Sequence, residues 1–246
     1  MKKLLSPANL PFAAFGGSLL AMLLRLWLLA IGEDDRGLLA TGSFPDAASW
    51  IVVGLMMALL GYGALQLQGK EKYRINFPAS AGAAFGIALA AVGILITSVT
   101  DWFGAQDIIG TISSVLGLLA GIALGFLAFF RFRGIRPNLL LHGVVCIYLM
   151  LHLVSHYRLW SSYPQLQDYG FELLAIVFIM LACYQRAAFD AGRGSRSSYT
   201  FFSLAALFFC IAALPGCDSK AFFIGCAVWM AATPCKLVFT TEKKEE

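Results

Sequence analysis

Two histidines set four residues apart form the clearest chemistry-bearing pair in the sequence. His152 and His156 lie in the segment HLVSHYRLW, and their spacing puts both imidazoles on one face of a helix. Paired imidazoles bind transition metals, although a catalytic metal needs a further ligand and an open position for water. Asp101, Asp168 or Glu172 would supply that ligand from the same predicted surface. The pattern therefore allows a metal-dependent membrane hydrolase built on His152 and His156.

The same histidines have a more ordinary interpretation as hydrogen-bonded core or interface residues. His142 is the only other histidine, and it lies about two turns or more deeper on the same predicted helix. A haem held by two histidines requires ligands from facing helices, which this arrangement does not provide. The leading prediction accordingly assigns no metal and no cofactor.

Two charged residues fall within apolar segments of membrane-spanning length. These are Arg25 and Glu172, and ionisable groups inside a bilayer are costly unless they are paired or functional. They would pair with each other or with Arg158 and Asp168, as a structural clamp between two parts of the bundle or as a solute site. Together with His156, these residues form a predicted polar site near the extracytoplasmic face.

The composition identifies the class of protein. The chain has 246 residues, of which 59% are hydrophobic and 13% charged, and its mean hydropathy is +0.77. Soluble proteins average about 25% charged residues, so we predict an integral membrane protein in contact with the lipid bilayer. The net charge of +4 comes from basic residues dispersed among short loops, which gives no case for nucleic acid.

Eight apolar segments are each close to the ~20 residues that cross a bilayer. The sequence therefore predicts an all-α polytopic bundle of eight transmembrane helices. The seventh segment is the shortest and the least certain. The predicted segments are Asn9–Ile31, Ala47–Leu67, Phe77–Val99, Ile108–Phe130, Asn138–Tyr157, Tyr169–Gln185, Tyr199–Leu214 and Ala221–Val238.

The distribution of basic residues predicts the orientation. If eight helices alternate, only Arg25, Arg36, Arg158 and Lys220 among the 18 Lys and Arg residues lie on one side. Short loops rich in Lys and Arg stay in the cytoplasm. We therefore expect a multi-pass protein of the plasma (inner) membrane with both termini in the cytoplasm.

A short motif occurs twice in the chain. RLW stands at residues 25–27 and again at 158–160, and each copy is followed by a polar loop and an aromatic–proline pair. Four helices in each half would make the two halves enter the membrane in the same direction. We predict two parallel four-helix repeats, at residues 1–136 and 137–246.

Small residues four apart mark one predicted helix face. Gly117, Gly121 and Gly125 form this ridge, and such spacing lets helix backbones approach closely in lipid. An internal helix contact is the favoured interpretation. A homo-oligomer interface or the docking face for a membrane partner is the alternative.

The function that these features favour is transport. Duplication, charges within spans and the lack of any segment long enough for a soluble domain fit a small-solute transporter or permease-like protein. The alternatives are the metal-dependent hydrolase and a non-catalytic scaffold or sensor subunit. No P-loop, HExxH or GxSxG motif occurs in a suitable context, so enzymatic activity is the less favoured class.

Overall fold

The protein is a bundle of α-helices in a computed structural model that describes residues 9–31, 43–67, 76–104, 107–161 and 169–242, without side-chain detail at 159–160 and 235–242. The described residues form eight long helices. They are α1 Leu10–Ile31, α2 Phe44–Leu65, α3 Ala81–Gly104, α4 Ile108–Arg133, α5 Leu139–Trp160, α6 Gly170–Asp190, α7 Arg196–Ala213 and α8 Lys220–Glu242.

The helices have membrane character. Among the described residues, seven helices, α1 to α7, are long and apolar enough to cross a bilayer. In α8 the apolar part, Lys220–Pro234, is shorter, and Pro234 lies inside the helix. The predicted helical membrane bundle is therefore confirmed, whereas a count of eight crossings stays a prediction.

Local sequence signals explain several helix ends. Pro45 lies in the first turn of α2, where its missing N–H removes no helical hydrogen bond, and Asp46 follows it. At the end of α4, Gly134 adopts the left-handed conformation with φ of 68°. Ser195 caps α7 by accepting a hydrogen bond from the Ser198 backbone N–H.

The shortest membrane helix lies at the centre of the bundle. Helix α7 packs against α1, α2, α6 and α8. Of its 18-residue apolar window 78% is buried, compared with 22% for α1. Helices α3 to α8 each contact the next in sequence, and α3 also packs on α8, so these six helices form a closed ring. Helices α1 and α2 form a hairpin that docks on α7.

Glycines allow α3 and α8 to pack at short range. A Cβ added at Gly93 would overlap the Ala221 carbonyl oxygen, and one at Gly225 would lie 2.7 Å from the Leu89 carbonyl oxygen. Side chains at these positions would collide with backbone, which cannot move aside easily. The close approach replaces the hydrophobic driving force that is missing between helices in lipid.

The glycine ridge of α4 divides into two parts. Gly117 and Gly121 face α3, where a Cβ added at Gly117 would overlap Ser98 Oγ and one at Gly121 would lie 2.5 Å from Leu95 Cγ. Gly125 is different, because no described atom lies within 4 Å of the position that a Cβ would occupy there. Two of the three glycines thus take part in packing within the chain.

Helix contacts cross the predicted boundary at residues 136 and 137. Helix α3 packs on α8, and α1 and α2 pack on α7. The described helices therefore form one packed bundle. The proposed division into two parallel repeats stays a prediction.

Candidate functional site

Three potential metal ligands meet at one end of the bundle. Asp101 lies in the last turn of α3, and His152 and His156 lie near the end of α5. One ligand atom from each residue lies within 4.8 Å of the other two. The His152 Nδ1 and Asp101 Oδ2 atoms are 4.0 Å apart, and the two imidazole centroids are 4.2 Å apart. We refer to these three residues as the His152 cluster.

The His152 cluster is closed on its inner side and open on its outer side. The His152 imidazole packs against the Tyr148 ring at 5.3 Å and the Phe222 ring at 5.2 Å, measured between centroids. Only 3% of the His152 side chain is exposed, whereas 35% of the Asp101 side chain is exposed. A small ligand would therefore reach the cluster from the side of Asp101.

The ligand chemistry suits Zn²⁺ or a related transition metal. Imidazole nitrogens and carboxylate oxygens bind Zn²⁺ at about 2.0–2.2 Å, which places tetrahedral ligands roughly 3.3–3.6 Å apart. The ligand atoms here lie within 4.8 Å of one another, so they would move closer together around an ion. Three protein ligands leave the fourth tetrahedral position for water, which is the arrangement of catalytic zinc sites. Two of the residues come from α5 and one from α3, so the contact between distant parts of the sequence creates the set.

More charged residues continue from the His152 cluster along the same end of the bundle. Asp218 is exposed between α7 and α8, within electrostatic range of His156 and of Glu172. Glu172 is buried in the first turn of α6, within electrostatic range of Arg25. The buried Arg25 guanidinium lies 5.1 Å from the centroid of the Phe171 ring. Arg25, Glu172 and His156 therefore belong to one polar region.

Arg158 lies apart from that buried group. Its guanidinium nitrogen is 3.5 Å from the Asp107 carboxylate at the start of α4, and both side chains are at least half exposed. This is a surface ion pair, which contributes about 0–1 kcal/mol. Asp168, the remaining predicted site residue, lies outside the described residues.

Cys217 borders the polar region without supplying a ready thiolate. It lies between α7 and α8, where burial and the nearby Glu172 carboxylate raise the pKa of its thiol to about 11. Its sulfur is 3.6 Å from the Leu214 carbonyl oxygen, to which the S–H group donates. Since the thiolate is the nucleophile and the metal ligand, Cys217 is a poor candidate for either role at neutral pH.

A second polar group lies at the other end of α5. His142 Nδ1 is 3.2 Å from Asp190 Oδ2, and both side chains are at most 2% exposed. The Arg131 and Arg186 guanidinium carbons lie 5.3 Å and 5.4 Å from the centroid of the Phe77 ring. These five residues form what we call the Phe77 cluster, and α5 separates it from His152 by about 15 Å.

Sequence reasoning missed the Phe77 cluster. Arg131 and Arg186 were expected among the loop charges that set the orientation, yet both are buried within helices. The available signal was that Arg186 and Asp190 lie four residues apart, one turn of a helix, just after an apolar segment. Only the fold shows that His142 and Phe77 pack beside them.

Comparisons of the chain with protein-family models, with curated proteins and with solved structures find no match.

Proposed function

We propose that the protein is a metal-dependent membrane hydrolase, with a Zn²⁺-type ion held by Asp101, His152 and His156. The observation that supports this proposal is the convergence of three ligand atoms within 4.8 Å. The two histidines were expected to share a helix face, and Asp101 was one of three candidates for the third ligand. The proposal thus favours one of the alternatives that the sequence allowed.

The surroundings suit hydrolysis at the end of the bundle. A bound Zn²⁺ ion lowers the pKa of its water to about 7 and polarises a substrate carbonyl or phosphoryl oxygen. The exposed side of Asp101 would give that water and a substrate access to the ion. Asp218, which is exposed and within electrostatic range of His156, is our candidate to accept the proton of the water.

Metal analysis of the purified protein tests the proposal. After loading with Zn²⁺ and removal of free metal, we expect about one ion per chain, since three ligands make one site. His156→Ala and Asp101→Asn should lose the ion. Asp107→Asn is the matched control, because it removes an exposed carboxylate of the neighbouring helix. Wild-type protein that retains no metal would contradict the proposal.

Activity is tested separately with a panel of ester, amide and phosphoester substrates in detergent micelles. We expect turnover that a chelator abolishes, that added Zn²⁺ restores and that Asp101→Asn lacks. A bound metal without hydrolysis of any substrate class would leave a metal-binding protein and exclude the hydrolase.

Transport of a small solute is the second candidate function. It is favoured by the buried charged groups Arg25 and Glu172 within membrane helices, which are 6% and 4% exposed. In this proposal Arg25, Arg158, Asp168, Glu172 and His156 bind the solute. Uptake into proteoliposomes should fall in Arg25→Ala and Glu172→Ala, and uptake unchanged in both variants would contradict it.

A scaffold role would use the outer face of α4. Ile122, Gly125, Phe126 and Phe129 line an apolar surface groove there. In this proposal Gly117 and Gly121 pack against α3 within the bundle, and Gly125 on the same helix contacts the partner. Loss of a co-purified partner or of a homo-oligomer in Gly125→Leu, with no change in Gly54→Leu on α2, would support it. Gly54 is a suitable control because a Cβ placed there would likewise meet no described atom within 4 Å.

The proposed location is the plasma (inner) membrane with both termini in the cytoplasm. The unequal distribution of Lys and Arg between alternate loops supports this orientation. Reporter fusions after residue 66 and at the C-terminus should both report the cytoplasm. Opposite results would contradict an even number of crossings and, with it, the two parallel repeats.

A further inference from the structure

About one helical turn deeper in the bundle than the His152 cluster, helices α3, α4 and α5 pack closely against one another. Ser98 precedes Asp101 by three residues on α3, and Tyr148 precedes His152 by four residues on α5. A Cβ at Gly117 of α4 would overlap Ser98 Oγ and would lie 2.8 Å from Tyr148 Cε2. Only a residue without a side chain therefore fits between Ser98 and Tyr148.

Ser98 and Tyr148 are buried, and each lies about one turn from a proposed metal ligand on the same helix. Ser98 and Tyr148 are each 1% exposed. Ser98 Oγ donates a hydrogen bond of 2.7 Å to the Ile94 carbonyl oxygen, which fixes the hydroxyl against its own helix. The Tyr148 ring packs on the His152 imidazole at 5.3 Å between centroids. A displacement at Gly117 would therefore move the helices that carry Asp101 and His152.

We propose that Gly117, Ser98 and Tyr148 are positioning residues that set the distance between Asp101 and His152 for metal binding. This inference rests on the proposed function, since it concerns the same site. Residues behind metal ligands typically change metal affinity by about 10–100-fold when they are substituted, because ligands must be held within a fraction of an ångström. A purely structural contact would instead change stability and leave the metal affinity of the folded protein unchanged.

The α4 glycines provide a matched set of variants. Gly117→Ala places a methyl group against Ser98 and Tyr148. Gly121→Ala places one 2.5 Å from Leu95 Cγ, about one turn farther from the ligands, and tests general packing strain. Gly125→Ala meets no described atom within 4 Å and controls for the loss of glycine itself.

The measurement is the Kd for Zn²⁺ of each purified protein, by competition with a chelator. We expect Gly117→Ala to bind about 10–100-fold more weakly than wild type, with Gly121→Ala and Gly125→Ala close to wild type. The absorption spectrum of bound Co²⁺ should also change in Gly117→Ala, because that spectrum reports the coordination geometry. Equal affinities and equal spectra in all three variants would overturn the inference.

A gentler substitution covers the case in which Gly117→Ala fails to fold. Tyr148→Leu removes the ring beside His152, and Tyr157→Leu on the same helix replaces an exposed ring. We expect weaker Zn²⁺ binding for Tyr148→Leu only. Wild-type protein that binds no Zn²⁺ would remove the proposed function. Normal Zn²⁺ binding by both wild type and Tyr148→Leu would remove this inference alone.

Discussion

The two polar clusters at the ends of α5 differ in what surrounds their charges. In the Phe77 cluster, the ring of Phe77 lies under two guanidinium groups and packs edge-on against Phe189 and Tyr199. Arg136 also donates a hydrogen bond to the Asp190 carbonyl oxygen. In the His152 cluster, a third of the Asp101 side chain is exposed. One cluster is enclosed by its own chain, and the other has an accessible edge.

In our proposal this difference separates a structural role for the Phe77 cluster from a chemical role for the His152 cluster. Charges that are buried and neutralised by neighbours within the chain hold helices in register, and their loss destabilises the protein. Three ligand groups that gather at an exposed edge can instead hold an ion and leave its fourth position to water. Substitutions in and around the two clusters test this distinction, from the largest expected effect to the smallest.

Asp190→Asn should have the largest effect on stability. It removes a negative charge beside His142, Arg186 and Arg136, and breaking a buried pair typically costs about 3–5 kcal/mol. Thermal unfolding in detergent should therefore show a clear fall in Tm. Asp107→Asn, which breaks an exposed pair, should cost no more than about 1 kcal/mol. Equal effects of the two substitutions would contradict the structural role of the Phe77 cluster.

His156→Ala should abolish stabilisation by metal. At a Zn²⁺ concentration about 100 times the Kd, binding stabilises the wild-type protein by about 2.7 kcal/mol, and the variant would not gain this. The metal-free Tm should change much less than in Asp190→Asn. A Zn²⁺-dependent rise in Tm that persists in His156→Ala would show that the ion binds elsewhere.

Phe77→Leu should destabilise the protein by about 2 kcal/mol or more, because it removes a desolvated ring beside two guanidinium groups. The Zn²⁺ affinity should stay at the wild-type value, since Phe77 packs near the end of α5 that is farther from His152 and His156. Thermal unfolding and chelator competition on the same sample measure both quantities. A change in metal affinity would show that the two clusters are coupled.

Cys217 provides a test of the environment at the end of the bundle that holds the polar region. Because its pKa is raised to about 11, the reactive thiolate is scarce at neutral pH, and its fraction grows as the pH rises toward that value. Maleimide labelling of a protein in which Cys217 is the only remaining cysteine should be slow near neutral pH and faster about two pH units higher. Rapid labelling near neutral pH would indicate a more polar environment for this end of the bundle.

The sequence predicted the positions of the helices better than it predicted which helices contact one another. Apolar length alone located α4 from Ile108, the observed start, because a bilayer demands about 20 apolar residues per crossing. Spacing also placed His152 and His156 on one face. The choice of Asp101 over Glu172 depends on the end of α3 lying beside the end of α5. Helix periodicity carries no information on that contact, and Asp168, the other candidate, lies outside the described residues.

The centre of the bundle was equally hard to predict. The seventh segment was the least certain from hydropathy, yet α7 is the most buried of the membrane helices. A helix surrounded by protein needs less apolar surface than one surrounded by lipid, so its weak signal has a physical cause. Ser203 and Thr200, both fully buried, illustrate the polar side chains that such a position tolerates.

The central place of α7 also bears on biosynthesis. Helices α1 and α2 leave the ribosome before α7, and this helix, on which they dock, is completed only at Ala213. At roughly 5–20 residues per second, the hairpin waits on the order of ten seconds or more in the bilayer before its docking surface exists. During that interval lipid or an insertase must cover it, so a ribosome stalled before residue 196 would expose a nascent chain vulnerable to quality-control proteases.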